Sequence, residues 1–142
     1  MAMTFRYVPL QRPDGALQKA PCIPVYEHDA HGRLLIIPAM VDSGADTTVV
    51  PADLAEVLRL PLGEEIATGG IGGTAKARKT FFSCIIKKGR EHYSVRVPAL
   101  ILLDAPEDLP VLLGRNGFFE QFDITFRQSE EKIVLKKNAA AA

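Results

Sequence analysis

The sequence predicts an all-β domain, a barrel or a sandwich, with one or two short helices. Three observations support this class. The apolar segments are short and rich in Val and Ile, turn-forming residues separate them, and only one stretch, beginning at Pro51, carries clear helical spacing. No repeat of solenoid period is visible.

Taken in order, Phe5 to Val8 reads as a first strand. Ile23 to Glu27 and Arg33 to Val41 are Val- and Ile-rich strands, with "HDAHGR" as their hairpin connection. Pro24 and Pro38 limit their regularity, because proline donates nothing to a ladder. In "PADLAEVLRL", proline suits the first helical turn, Leu54, Val57 and Leu58 fall at helical spacing, and Pro61 ends the segment. Asp53 and Glu56 favour the positive N-terminal half of that helix. Two extended arms then flank Gly69-Gly70-Ile71-Gly72-Gly73, a mobile hairpin tip with access to positive φ. Two further strands surround Gly89-Arg90, and "DAPEDLP" is a polar loop. "VLLG" is a short buried strand, "RNGFFEQF" a brief helix, and "FDITF" with "KIVL" a closing hairpin around "QSEE".

The 142 residues suit one domain, 1–142, with its core over about 5–137 and a frayed tail at 138–142. A core of this size buries roughly 70% of the surface that the unfolded chain exposes. Hydrophobic residues make up 47% of the chain, which excludes large-scale disorder. Seventeen basic residues balance seventeen acidic ones, which argues against a dedicated nucleic-acid binder. The densest basic group, Lys76, Arg78 and Lys79, reads as a solvated strand face. Cys22 and Cys84 have no CxxC partner, so buried thiols in a reducing compartment are expected, although spacing alone leaves a bridge open. No apolar run approaches the ~20 residues that span a bilayer. "MAMTFRYV" has neither the charge nor the apolar run of a secretion signal, so the expected location is the cytoplasm. His28 and His31 sit in a turn with Asp29 and lack further ligands; a solvated loop is expected there and no metal site.

The segment with chemical promise is "IIPAMVDSGADTTVV". An apolar strand runs directly into Asp42-Ser43-Gly44. These are ordinary turn formers, so the segment reads either as a strand followed by a turn or as a reactive carboxylate presented at a strand end. Ser43 lies in D-S-G-A and not in G-x-S-x-G, which argues against a serine hydrolase.

Three blocks in order carry a resemblance: "VDSGADTTVV", the glycine-rich "TGGIGGTAKARK", and "VLLGRNGFF". Together they resemble the retropepsin-like aspartic proteases, the retroviral proteases and their cellular relatives, over roughly residues 33 to 127. The resemblance implies a closed acid-protease barrel, homodimeric, acting on peptide or protein substrates without metal or organic cofactor. It implies that Asp42 is the catalytic carboxylate, that Ser43 hydrogen-bonds across the dimer, and that Gly44 lets substrate backbone approach. Asp46 would contact substrate main chain and pair with Arg115. Ala45, Val49, Ile71 and Leu112 would line apolar pockets, and the flap from Thr68 to Thr74, with Gly69, Gly70 and Gly72, would close over the peptide. Leu112 also reads as plain core, and the Asp46–Arg115 pair as a purely structural one. The chain departs from retroviral members in its greater length, in Thr47 where some have a second acid, in Thr74 and Ala75 after the flap tip, and in a helix from Pro51 that looks more like the cellular branch.

Aspartic proteolysis needs two carboxylates that share a proton, and this chain holds one such motif. The resemblance therefore implies a second Asp42 from an identical subunit, related by a two-fold axis. By analogy, Phe5 to Val8 and Lys132 to Leu135 would help form that interface; pairing within one subunit is the alternative. A protease-like module that only dimerises or holds peptides is the rival function, and an enzyme with one narrow cellular substrate is a third.

Overall fold

A computed structural model of the chain describes residues 1–12, 14–70, 73–106 and 108–139. Its centre is a closed barrel of six strands: β4 (Cys22–His28), β5 (Leu34–Val41), β6 (Thr48–Pro51), β8 (Gly73–Lys88), β9 (Glu91–Leu102) and β10 (Val111–Leu113). The remaining strands are β1 (Ala2–Arg6), β2 (Val8–Gln11), β3 (Leu17–Ala20), β7 (Glu65–Gly70), β11 (Phe122–Arg127) and β12 (Lys132–Lys137). Around the barrel the order is β4-β5-β10-β6-β9-β8, and Tyr26 of β4 meets Ile85 of β8 to close it.

Period-2 patterning produces the wall. Along β9, Val95, Val97, Ala99 and Ile101 point inward and are buried, while Arg96 and Pro98 face out. On β8, Phe82, Cys84 and Ile86 do the same. Fully burying a side chain of this size contributes about 1.5–3 kcal/mol. Cys22 and Cys84 are free and buried. Burial pushes the Cys22 thiol up to about 11 and the Cys84 thiol to about 12, the latter with help from the Glu27 charge. Both are therefore protonated, inert core residues near neutrality.

The termini meet in a separate three-stranded sheet, β1-β12-β11, antiparallel throughout. Met3, Phe5, Phe122, Ile133 and Leu135 form its buried face. Phe122 packs edge-on to Tyr93 with ring centroids 5.7 Å apart, which ties this sheet to β9. The strand expected over Phe5 to Val8 is in fact broken at Tyr7, whose N–H donates to Glu131 O at 2.8 Å while its ring is buried. The chain turns there into β2. The β2–β3 hairpin around "RPDGAL" pairs Val8 with Ala20 and Gln11 with Leu17. Its Pro, Gln and Lys residues gave no apolar alternation to read. The start of the expected tail is anchored too: Asn138 N–H donates to Gln121 O at 2.8 Å.

Helix α1 (Ala52–Leu58) starts after Pro51 in extended geometry, and Arg59 ends it in the left-handed region at φ 52. The stop comes before Pro61, because the Arg59 and Leu60 N–H groups cap the Glu56 and Ala55 carbonyls at 3.1 and 3.0 Å. The segment Arg115–Phe119 is an irregular helical turn, interrupted by extended Asn116. No helix among the described residues is long and apolar enough to cross a membrane.

The β4–β5 turn is organised by Asp29, which is buried against it. The Arg33 and His31 N–H groups donate to Asp29 Oδ1 at 2.9 and 2.8 Å, and Arg33 Nε donates to Oδ2 at 2.9 Å. The Arg33 backbone bond is the main cause that holds the Asp29 carboxyl below its ordinary value of 3.8; the His31 N–H and the Arg33 side chain add to it, and partial desolvation opposes them. A carboxylate depressed in the folded state contributes stability above its unfolded value and loses it as pH falls through the folded one. Acid titration should therefore lower the urea midpoint of the native chain more steeply below about pH 4 than that of Asp29→Asn. Parallel slopes for the two proteins would refute this assignment.

Candidate active site

Strand β5 delivers Asp42 to the rim of the barrel. Its neighbour on that side is β10, which runs parallel to it (Ala39 opposite Val111, Val41 opposite Leu113). Strand β10 also pairs antiparallel with β6 at Leu112 and Val49. It therefore lies between two strands that precede it by some seventy residues of sequence, and it holds the Asp42 turn from both sides. Asp42 N–H donates to Leu113 O at 3.0 Å, and Arg115 and Asn116 N–H donate to Ala45 and Asp46 O at 2.9 and 2.8 Å.

Within the turn, Ala45 N–H donates to Asp42 O at 3.2 Å, and Gly44 N–H donates to Asp42 Oδ1 at 2.9 Å. The carboxylate is half-buried. Its Oδ2 has no hydrogen-bond partner among the described residues, so one oxygen is fixed and the other is presented. A Cβ added at Gly44 would stand 3.3 Å from Oδ1, crowding the oxygen that this N–H orients. Ser43 beside it is exposed.

The support beneath the turn comes from Gly114 and Thr48. Gly114 N–H donates to Thr48 Oγ1 at 3.1 Å, and Thr48 is fully buried. Gly114 also lies flat against the Thr47 backbone: a Cβ there would meet Thr47 C, O and N at 2.5, 2.7 and 2.9 Å. No side chain fits that gap. Neither Thr48 nor the strand character of Thr48–Pro51 emerged from the sequence reading, although Thr48 and Val50 alternate inward as a strand requires.

The other expected site residues fall into separate groups. Asp46 and Arg115 are paired through Oδ1 and a guanidinium N–H at an exposed position. Val49 and Leu112 are cross-strand partners, both half-buried, and Ala45 is half-buried beside the turn. Gly69 and Gly70 end β7, opposite Thr74 and Gly73 in the β7–β8 hairpin. No hydrogen bond joins them to the Asp42 turn among the described residues. Ile71 and Gly72, at the hairpin tip, lie outside the described residues. No cluster of three or more His, Cys, Asp or Glu suited to a metal occurs among the described residues.

The chain has a retropepsin-like fold: a closed barrel of six strands in which the short late strand β10 holds the Asp-Ser-Gly turn. A retropepsin-like aspartic protease from Rickettsia conorii superposes over 95% of this chain and 91% of its own, with a TM-score of 0.51 and 17% identity. The EIAV protease complexed with an inhibitor aligns over 69% of this chain and 84% of its own, with a TM-score of 0.42 and 26% identity. The fold assignment rests on the first of these. Neither a protein-family model nor a curated protein matches the sequence.

Proposed function

We propose that the protein is a homodimeric aspartic endopeptidase in which the Asp42 carboxylates of two subunits activate one water molecule. The observation that carries this reading is the state of Asp42: one oxygen is held by the Gly44 N–H and the other has no partner among the described residues, at the rim of a retropepsin-like barrel. A lone carboxylate lacks the second acid–base group that the reaction needs. Two of them at close range resist joint ionisation, share one proton and titrate as a unit. The ionised member takes a proton from water as the oxygen attacks the peptide carbonyl. The protonated member stabilises the developing oxyanion and then helps protonate the leaving nitrogen.

The remaining roles are those that the resemblance implies. Exposed Ser43 bonds across the two-fold axis beneath the carboxylates. Ala45, Val49 and Leu112 offer apolar surface to extended peptide side chains. Asp46, anchored by Arg115, receives substrate main-chain N–H groups. The β7–β8 hairpin, which Gly69 and Gly70 lead into, closes over the substrate as a flap and excludes water.

For the terminal strands the expectation offered a dimer interface or pairing within one subunit; the second is seen, and a part in the interface is proposed beside it. Strands β1 and β12 pair within one chain, and β12 has a neighbour on each side. The outer edges of β1 and β11 have no strand neighbour among the described residues and are the edges this sheet offers to a second copy. A site completed by a partner subunit makes activity depend on concentration. Cleavage of a diverse peptide library, assayed from acid to neutral pH, should give a rate per chain that rises with dilution reversed and plateaus once sedimentation shows only dimer. A constant rate per chain across the monomer–dimer transition would reject the shared site.

A further inference from the structure

We propose that the protein carries a second docking groove, beside the first half of β5, for an extended basic and apolar peptide segment that adds to the sheet as a strand. This site is independent of the cleavage reading.

The backbone pattern of β5 is the first ground. Val41 N–H donates to Pro21 O at 2.9 Å, on the β4 side. In an antiparallel ladder these bonds alternate, so Leu35, Ile37 and Ala39 also turn their N–H and C=O groups to β4. Leu34 and Ile36, with the Pro38 carbonyl, turn theirs the other way. The Pro24–Pro38 pairing fits this phase, because it places both prolines where the β4–β5 ladder asks for no N–H. On the outer side β10 pairs only with Ala39 to Val41. The polar backbone groups of Leu34 and Ile36 therefore face outward with no partner among the described residues.

The surface around this edge is apolar and open. Leu34 is 54% exposed and Ile36 62%, unusual for two residues on the same face of one strand. Beside Ile37 and Pro38 lies a groove of about 280 Å³, walled also by Leu54, Leu103 and Leu109 and bounded by Pro110 and Val111, where the chain enters β10. A strand laid along Leu34 and Ile36, ahead of the point where Pro110 leads into β10, would bond to both residues and reach the groove with alternate side chains.

The charge of the rim selects the occupant. Asp53, from the first turn of α1, and Asp108 line the groove; no Lys or Arg does among the described residues. Neither aspartate has an ion-pair partner among the described residues. An extended segment with Val, Ile or Leu at alternate positions and Lys or Arg between them satisfies backbone, floor and rim together.

The test uses full-length Asp42→Asn protein, so that no probe is consumed, and a short fluorescein-labelled peptide alternating valine and lysine. Fluorescence anisotropy should show saturable binding that weakens about tenfold in Asp53→Lys/Asp108→Lys, since each exposed ion pair contributes up to ~1 kcal/mol. Methylating the amide nitrogens at every second residue should abolish binding in one phase and spare it in the other. A statine-type inhibitor added to the unsubstituted protein, with its carboxylates intact, should not displace the peptide. Lack of saturable binding, equal binding to the charge-reversed variant, equal binding of a valine–glutamate peptide, or displacement by the inhibitor would each overturn the proposal. So would concentration-dependent self-association that Ile36→Lys removes while peptide binding is absent, because the edge would then belong to a second copy.

Discussion

Asp42→Asn should retain the barrel and the dimer and lose peptide cleavage by a factor of at least about 10²–10⁴, the range attributed to a positioned acid–base group. The amide keeps the size of the side chain and an oxygen for the Gly44 N–H, so the turn that holds Oδ1 stays intact. What disappears is the capacity to accept and return a proton. Circular dichroism and sedimentation should match the unsubstituted chain, while product from the peptide library falls to background. Cleavage that survives the substitution would remove Asp42 from the chemistry. A folded dimer that never cleaves, with or without the substitution, but still binds extended peptides would favour the rival reading, a protease-like holding module. Mixed dimers sharpen the comparison, because one Asn per pair already breaks the shared-proton arrangement.

Gly114→Ala should be the most damaging single methyl addition in the region. Its Cβ would stand 2.5 Å from a backbone carbon and 2.7 Å from a carbonyl oxygen of Thr47, atoms with no rotamer to change. Relief requires that β10 and the Thr47 segment part, which also stretches the 3.1 Å bond from Gly114 N–H to buried Thr48 Oγ1. Overpacking of this kind costs about 1–3 kcal/mol, and an orphaned buried donor adds about 1–3 kcal/mol more. Chemical denaturation should show the loss of stability, and whatever protein folds should turn over more slowly, because the displaced strand also carries the Leu113 carbonyl that fixes Asp42. A variant with unchanged stability and rate would mean that this junction is softer than its contacts imply.

Several features were legible in the sequence because their causes are local. The alternation of Val95, Val97, Ala99 and Ile101 announces a strand, and Asp42-Ser43-Gly44 after an apolar run announces a strand that ends in a turn. The hairpin of "FDITF" and "KIVL" is fixed by the short turn between its strands. Other features depend on distant partners. Thr48–Pro51 is four residues long and merges into the approach to α1; it becomes a strand because β9 and β10 flank it. The role of Thr48 exists only once Gly114 is beside it, 66 residues away. The break at Tyr7 is set by Glu131, at the other end of the chain. Strands β2 and β3 escaped notice because their hydrogen bonds, and not an apolar face, hold them together.

The position of β10 between β5 and β6 also dictates an order of events during synthesis. The two older strands share no direct pairing and must wait for a neighbour that leaves the ribosome about seventy residues later. Closing so long a loop is slow and comes late. The carboxylate is made early but cannot be aimed until Leu113 arrives. A nascent chain halted before that point lacks the Leu113 carbonyl that fixes the Asp42 backbone, so the turn takes its final geometry only when nearly the whole barrel has been made.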